Sequence, residues 1–298
     1  MRALVIVILV AHAACDYEED DCDPTLKHLT VDSSDTDWFE WVNSDDYQVG
    51  VYATAVGGTQ RYAAGGDTDC GDPLPITPLA ITNEQPSVAI VTNVGATIDV
   101  HGVSPGVTNL DLAGGGLTAH WPMKVAAIDH VQLAGQELGE PGAFYAGTPI
   151  AKIVLLDGDT QPVVDRDLSV TGAIRQGARW DELAMATATP AVYSLIIHAG
   201  GSDWPLTTRV VDHIDEIVAD KPTITQPAYL SVHTCFFAHV DGVVVAGVPW
   251  QFDFDQLDGV VTNPNCVAIW VGTDHKLVQT IAAHALGFTA TTTVTFTE

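Results

Sequence analysis

The sequence predicts an all-β chain of tandem β-sandwich modules. Three observations carry this reading. Short runs such as 47–55 (YQVGVYATA) and 97–101 (TIDVH) alternate apolar and polar residues with the period of a half-buried strand. Gly, Pro, Asn and Asp clusters interrupt the chain roughly every ten residues, a spacing that suits sandwiches and leaves no room for helical crossovers. Finally, the chain repeats itself. Pro105-Gly-Val107-Thr-Asn-Leu110-Asp-Leu112-Ala113-Gly-Gly115 matches Pro190-Ala-Val192-Tyr-Ser-Leu195-Ile-Ile197-His-Ala199-Gly-Gly201 with one residue inserted. Each copy is followed by Trp-Pro (Trp121-Pro122, Trp204-Pro205) and Ile-Asp (Ile128-Asp129, Ile214-Asp215), giving a period of about 83 to 86 residues. Turn, alternating strand, Gly-Gly turn and return strand describe the closing hairpin of a sandwich.

The N-terminus is a leader. Arg2, the apolar run 3–10 and the small-residue stretch Ala11-His12-Ala13-Ala14 are the three parts of a secretory signal peptide over 1–14. As a helix, residues 3–14 reach only about 18 Å, short of the ~30 Å hydrocarbon core, so the segment is removed and not embedded. Cys15 after Ala13-Ala14 resembles the lipobox of bacterial lipoproteins, which implies lipidation of Cys15 and a membrane anchor. His12 departs from the aliphatic residue of that pattern. Cleavage after Ala13 or Ala14, leaving a secreted soluble protein, is therefore the alternative. An acidic tether over 15–25 follows.

Five cysteines in an exported chain leave one unpaired. With Cys15 lipidated, the remaining four allow three connectivities, of which Cys22–Cys70 with Cys235–Cys266 is favoured because each pair then lies within one module. Neither pair has zinc-ligand spacing, and an oxidising compartment favours disulfides.

With 11 Lys+Arg against 38 Asp+Glu, the formal charge is −27. Phosphate neutralisation needs a basic surface, so nucleic acid is excluded as a partner. At 47% hydrophobic and 16% charged residues the composition is that of a folded protein. The mature length suffices for two or three domains. We read modules at 26–127, 128–216 and 217–298, the last a small sandwich holding the second disulfide, with strands near the C-terminus (286–296, LGFTATTTVTF) equivalent to the repeated hairpin. Segment 209–220 also fits an amphipathic helix, but its counterpart at 124–133 sits in the same place after Trp-Pro and makes both strands entering the next module. A short helix is expected at 180–188 (WDELAMATA).

Pro86-Ser-Val88-Ala-Ile-Val91, then Val103-Ser-Pro105-Gly106-Val-Thr108-Asn-Leu110 and Gly116-Leu-Thr118-Ala119, resemble the bacterial immunoglobulin-like group 2 (BIG2-like) domain over roughly residues 26 to 127. The resemblance implies extracellular presentation in a cell envelope: adhesion, spacing of a head from the surface, or packing in an envelope assembly. Cys235, Trp250 and Cys266 resemble an immunoglobulin core, although 31 residues is a short interval for a bridge between sheets. The alternative reading is an accessory binding protein whose loops recognise a carbohydrate or a divalent cation.

Catalytic signals are weak, and we expect no enzyme, cofactor or metal. Gly102-Val-Ser104-Pro-Gly106 matches the G-x-S-x-G expression, but a hydrolase elbow needs a helix after it and 107–112 alternates as a strand. Asp157, Asp159, Asp165 and Asp167 gather carboxylates suited to a hard cation, without EF-hand order, and read as a solvated hairpin. Among His233, His239, His275 and His284, the first two share a strand face with Cys235 and Phe237. They stand about 20 Å apart, so both cannot bind one ion, and ordinary surface or core histidine is expected.

Overall fold

The computed structural model describes residues 28–33, 52–67, 73–74, 76, 79–135, 141–227, 230–254, 259–270 and 278–297. Residues 1–14, Cys15, Cys22, Cys70 and His275 lie outside these residues, and with them the expected leader, the expected lipidation of Cys15 and the expected Cys22–Cys70 pairing.

Every regular element among the described residues is a strand. The first set comprises β1 (His28–Ser33), β2 (Ala53–Ala55), β3 (Thr59–Asp67), β4 (Pro73–Leu74), β5 (Ala80–Asn83), β6 (Ala89–Val94), β7 (Thr97–Gly102), β8 (Gly106–Gly114) and β9 (Leu117–Ala126). The second comprises β10 (His130–Ala134), β11 (Ala143–Tyr145), β12 (Ile150–Leu156), β13 (Pro162–Val164), β14 (Ser169–Gly172), β15 (Glu182–Ala184), β16 (Ala191–Ala199) and β17 (Ser202–Val211). The third comprises β18 (Glu216–Ala219), β19 (Thr223–Pro227), β20 (Val232–Val240), β21 (Val243–Ala246), β22 (Gln251–Phe254), β23 (Gly259–Asn263), β24 (Cys266–Ile269), β25 (Val278–Ala285) and β26 (Phe288–Thr297).

One pairing scheme recurs in all three. The first strand lies antiparallel to the third (β1–β3, β10–β12, β18–β20). The short second strand lies parallel to the last (β2–β9, β11–β17, β19–β26). An antiparallel hairpin closes each set (β8–β9, β16–β17, β25–β26). The result is a series of immunoglobulin-like sandwiches. Alternation along the hairpin strands aims Leu110 and Leu112, Leu195 and Ile197, and Val294 and Phe296 inward. They meet Tyr62, Ile98 and Met123 in the first core, Phe144, Ile153 and Leu183 in the second, and Phe236, Val267 and Ile281 in the third.

The hairpin turns explain why the repeat was visible. Gly115 and Gly116 (φ 58 and 84) and Gly200 and Gly201 (φ 59 and 69) both take the left-handed conformation that a tight two-residue turn requires. The third turn uses Leu286 and Gly287 (φ 50 and 89). Both glycine hairpins have a nine-residue strand before the turn and a ten-residue strand after it. They superpose without the inserted residue expected from sequence. The Trp-Pro pairs are then not equivalent: Trp121 lies opposite Leu110, whereas Trp204 lies opposite Ile197, two positions nearer the turn. A two-residue shift keeps the same face, so both indoles serve the core side.

Three further expectations change. Residues 180–188 form no helix: β15 pairs with Ile150, Ala151 and Lys152. The buried Lys152 ammonium draws Asp181 and Glu182 to 3.3 and 2.9 Å, which fixes an extended backbone there. The Asp157–Asp167 segment is not solvated throughout, since Asp157 and Asp165 are buried. Cys235–Cys266 is bonded, but it joins directly opposed residues of β20 and β24 in one sheet and does not bridge two sheets. That geometry accommodates the short 31-residue interval.

Candidate functional site

The most elaborate polar chemistry lies where consecutive strand sets meet. β2 is hydrogen-bonded on one edge to β9 of its own set and on the other, in parallel, to β13 of the next. β11 repeats this between β17 and β21. Sheets therefore run without a break from one set to the next. The apolar clusters do the same: Ala53, Ala55 and Ala126 join the second core, and Ala143 and Val211 pack with Ile214, Ala238 and Val245.

At the first junction Asp165 is the central residue. Its Oδ1 accepts the N–H of Thr59 at 3.1 Å and of Asp167 at 3.0 Å, and its Oδ2 accepts the N–H of Gly200 at 2.8 Å. The Arg166 N–H returns to the Thr59 carbonyl at 2.6 Å. Glycine is needed for this approach. A Cβ on Gly57 would lie 2.8 Å from the Gly200 backbone, one on Gly58 2.6 Å from the Asp165 carboxyl carbon, and one on Gly200 2.8 Å from the Val56 carbonyl oxygen. Gly200 thus makes the hairpin turn and the junction at once.

An ion pair flanks each junction at matching positions. Lys124, two residues before the end of β9, reaches Asp157 at 3.1 Å. Arg209, two before the end of β17, reaches Asp241 at 2.7 Å. Burial opposes ionisation of Asp157, but N–H groups of Gln161 and Asp159 and the Lys124 ammonium prevail and hold its pKa below the usual range. Asp241 donates its N–H to Asp215 at 2.7 Å, and Gly142 donates to the Val244 carbonyl at 2.9 Å. The lone pairs of Asp157 and Asp165 that a cation would require already accept donors of the chain itself.

The other candidates separate. Ser104 lies in a turn before β8, and its hydroxyl donates to the Ser87 carbonyl at 2.7 Å. No helix follows it. His233 and His239 share one face of β20 as expected, the former exposed and the latter half-buried. His284 sits between Thr289 and Asp253 at 2.8 and 3.1 Å. Among the described residues no three His, Cys, Asp or Glu side chains gather as a metal site would. Asp203, His198 and Thr171 form a relay, at 2.6 Å from carboxylate to imidazole and 2.8 Å from imidazole to hydroxyl. Sequence reading missed it, because the three residues converge only through the pairing of β14, β16 and β17. Asp203 is 72% exposed, so water weakens its pull on the imidazole, and the trio serves as a cross-strand contact.

No family model matches the chain, and no curated protein matches it. Solved structures resemble it at low identity. Domains 5-6 of the S-layer protein SbsC share 16% identity, with 64% of this chain and 99% of that one covered and a TM-score of 0.31. Invasin, described as a bacterial integrin-binding protein, shares 14% over 91% of this chain and 60% of its own, with a TM-score of 0.24. The titin I-band fragment I67-I69 shares 11% over 82% and 94%, with a TM-score of 0.22. The likeness extends no further than a string of β-domains.

Proposed function

We propose that the protein is an exported component of a cell envelope with a structural or adhesive role, anchored by lipid on Cys15. The observation that carries this reading is the doubled junction. A strand shared between consecutive sandwiches, an apolar seam and a flanking ion pair at each boundary fix the units to one another. Domains joined by mobile linkers lack such contacts; a chain meant to hold distance or bear load needs them. The leader of residues 1–14 and a cysteine disulfide between adjacent strands suit an oxidising compartment.

The decisive experiment is the intact mass of protein extracted from its native envelope, before and after reduction. A diacylglyceryl group on a chain beginning at Cys15, with four thiols appearing on reduction, is the expected result. An unmodified chain beginning at Ala14 or Cys15 in the medium overturns the anchor and keeps export. A chain retaining residues 1–14 inside the cell overturns both.

A further inference from the structure

The two junctions inside the chain are copies of one interface, and its two halves recur, without a strand partner among the described residues, in the first and third strand sets. β19 is the second strand of the third set. It lies on β26 in the register that β2 keeps on β9, with Gln226 and Pro227 opposite Phe296 and Thr297 as Thr54 and Ala55 are opposite Val125 and Ala126. In β2 the other edge carries β13; in β19 that edge carries no strand among the described residues. Burial follows: β2 is buried throughout, whereas Thr223 and Thr225 of β19 are exposed.

The complementary half is β4. It follows β3 as β13 follows β12, and in the same register. Pro73 lies opposite Asp67 and Leu74 opposite Gly66, as Pro162 lies opposite Leu156 and Val163 opposite Leu155. The outer edge of β13 receives β2; that of β4 receives no strand among the described residues.

We propose that a second copy of this chain docks head to tail, its β4 adding in parallel to β19 with Leu74 opposite Thr225, the register in which Val163 lies opposite Ala53. Pro227 does not obstruct this pairing. Its counterparts Ala55 and Tyr145 lie beyond the two positions that each internal junction uses. The two edges differ, so the contact is heterologous and propagates as an open filament unless its rotation closes a ring. It is weaker than the internal junctions for two reasons. Thr295 stands where Lys124 and Arg209 make their ion pairs, and copies carrying −27 each repel one another. Salt screens that repulsion, so association strengthens as ionic strength rises. The proposal rests on strand register alone and is independent of export and anchoring.

The test is the sedimentation-equilibrium mass of the full chain against concentration, at low salt and at about 1 M salt, where the Debye length is about 3 Å. Expected is a weight-average mass that climbs past the dimer at high salt. Thr225→Pro removes an edge N–H at an exposed position where proline is tolerated in an edge strand, and it abolishes the climb without lowering Tm. Leu74→Asp blocks the other half. Mixed together, the two non-associating variants form a one-to-one dimer and stop, because one good edge of each kind remains. If Leu74→Asp does not fold, Thr225→Pro decides alone. A wild-type chain that stays monomeric at high salt, or a Thr225→Pro chain that associates as wild type does, overturns the proposal.

Discussion

Asp165 concentrates the problem at the scale of one side chain. Its side chain is buried, and its carboxylate answers three backbone donors, one of them 106 residues away in sequence. Truncation strands those donors, and each unsatisfied buried group costs about 1–3 kcal/mol, less where water refills the space. Asp165→Ala is therefore expected to lose about 3 kcal/mol in urea unfolding. Asp159→Ala, at an exposed position of the same segment, is expected to stay within about 0.5 kcal/mol of wild type. Equal losses for both variants would mean that Asp165 is an ordinary turn residue. From sequence the four aspartates of this segment look alike. What distinguishes Asp165 is a pair of N–H groups supplied by Thr59 and Gly200, and nothing local announces them. Lys152 hides in the same way, because its carboxylate partners Asp181 and Glu182 stand at the start of β15, in a segment that resembles a helix until the lysine is seen to be buried.

At the scale of elements, the closing hairpins show what a sequence transmits well. Gly115-Gly116 and Gly200-Gly201 state the turn, and the alternation around Leu110 and Leu195 states the inward face, all within some twenty residues. β11 is illegible for the opposite reason, and β2 shows in the sequence only as the end of the alternating run 47–55. Each has three residues, and each takes its identity from parallel partners far along the chain. Leu286 offers a direct test of the turn. It holds φ 50 where the two other hairpins place glycine, and it is 40% exposed. A left-handed conformation costs an ordinary L-residue about 1–2 kcal/mol, and asparagine tolerates it better. Leu286→Asn is expected to gain about 0.5–1 kcal/mol, read as a raised denaturation midpoint at unchanged slope. An unchanged or lowered midpoint would show that the leucine side chain contributes contacts that offset the strain.

The whole molecule balances a continuous framework against its own charge. At −27 the folded chain repels itself, and a compact state gathers that charge more densely than an unfolded one. Added salt up to about 0.5 M is expected to stabilise it by about 1 kcal/mol, or about 2–4 °C in Tm. Acid works against the ion pairs instead. Desolvation opposes ionisation of Glu182 and Asp157, yet Lys152 with the Arg179 N–H, and Lys124 with the Gln161 and Asp159 N–H groups, hold both carboxylates below their ordinary values. The Arg61 fork, at 2.6 and 2.9 Å, lowers Asp99 against its smaller desolvation. A carboxylate whose folded pKa is depressed binds its proton more readily when unfolded. Its contribution is complete above the unfolded value near pH 4 to 5 and disappears as pH falls through the lowered one. Melting at fixed ionic strength should therefore show Tm dropping steeply below about pH 4. Lys152→Met paired with Glu182→Leu and Asp181→Leu, which removes the buried charges together, should flatten that drop even where it leaves neutral stability unchanged. An identical acid limb in this variant would assign the loss to carboxylates outside this cluster, Asp157 and Asp99 among them.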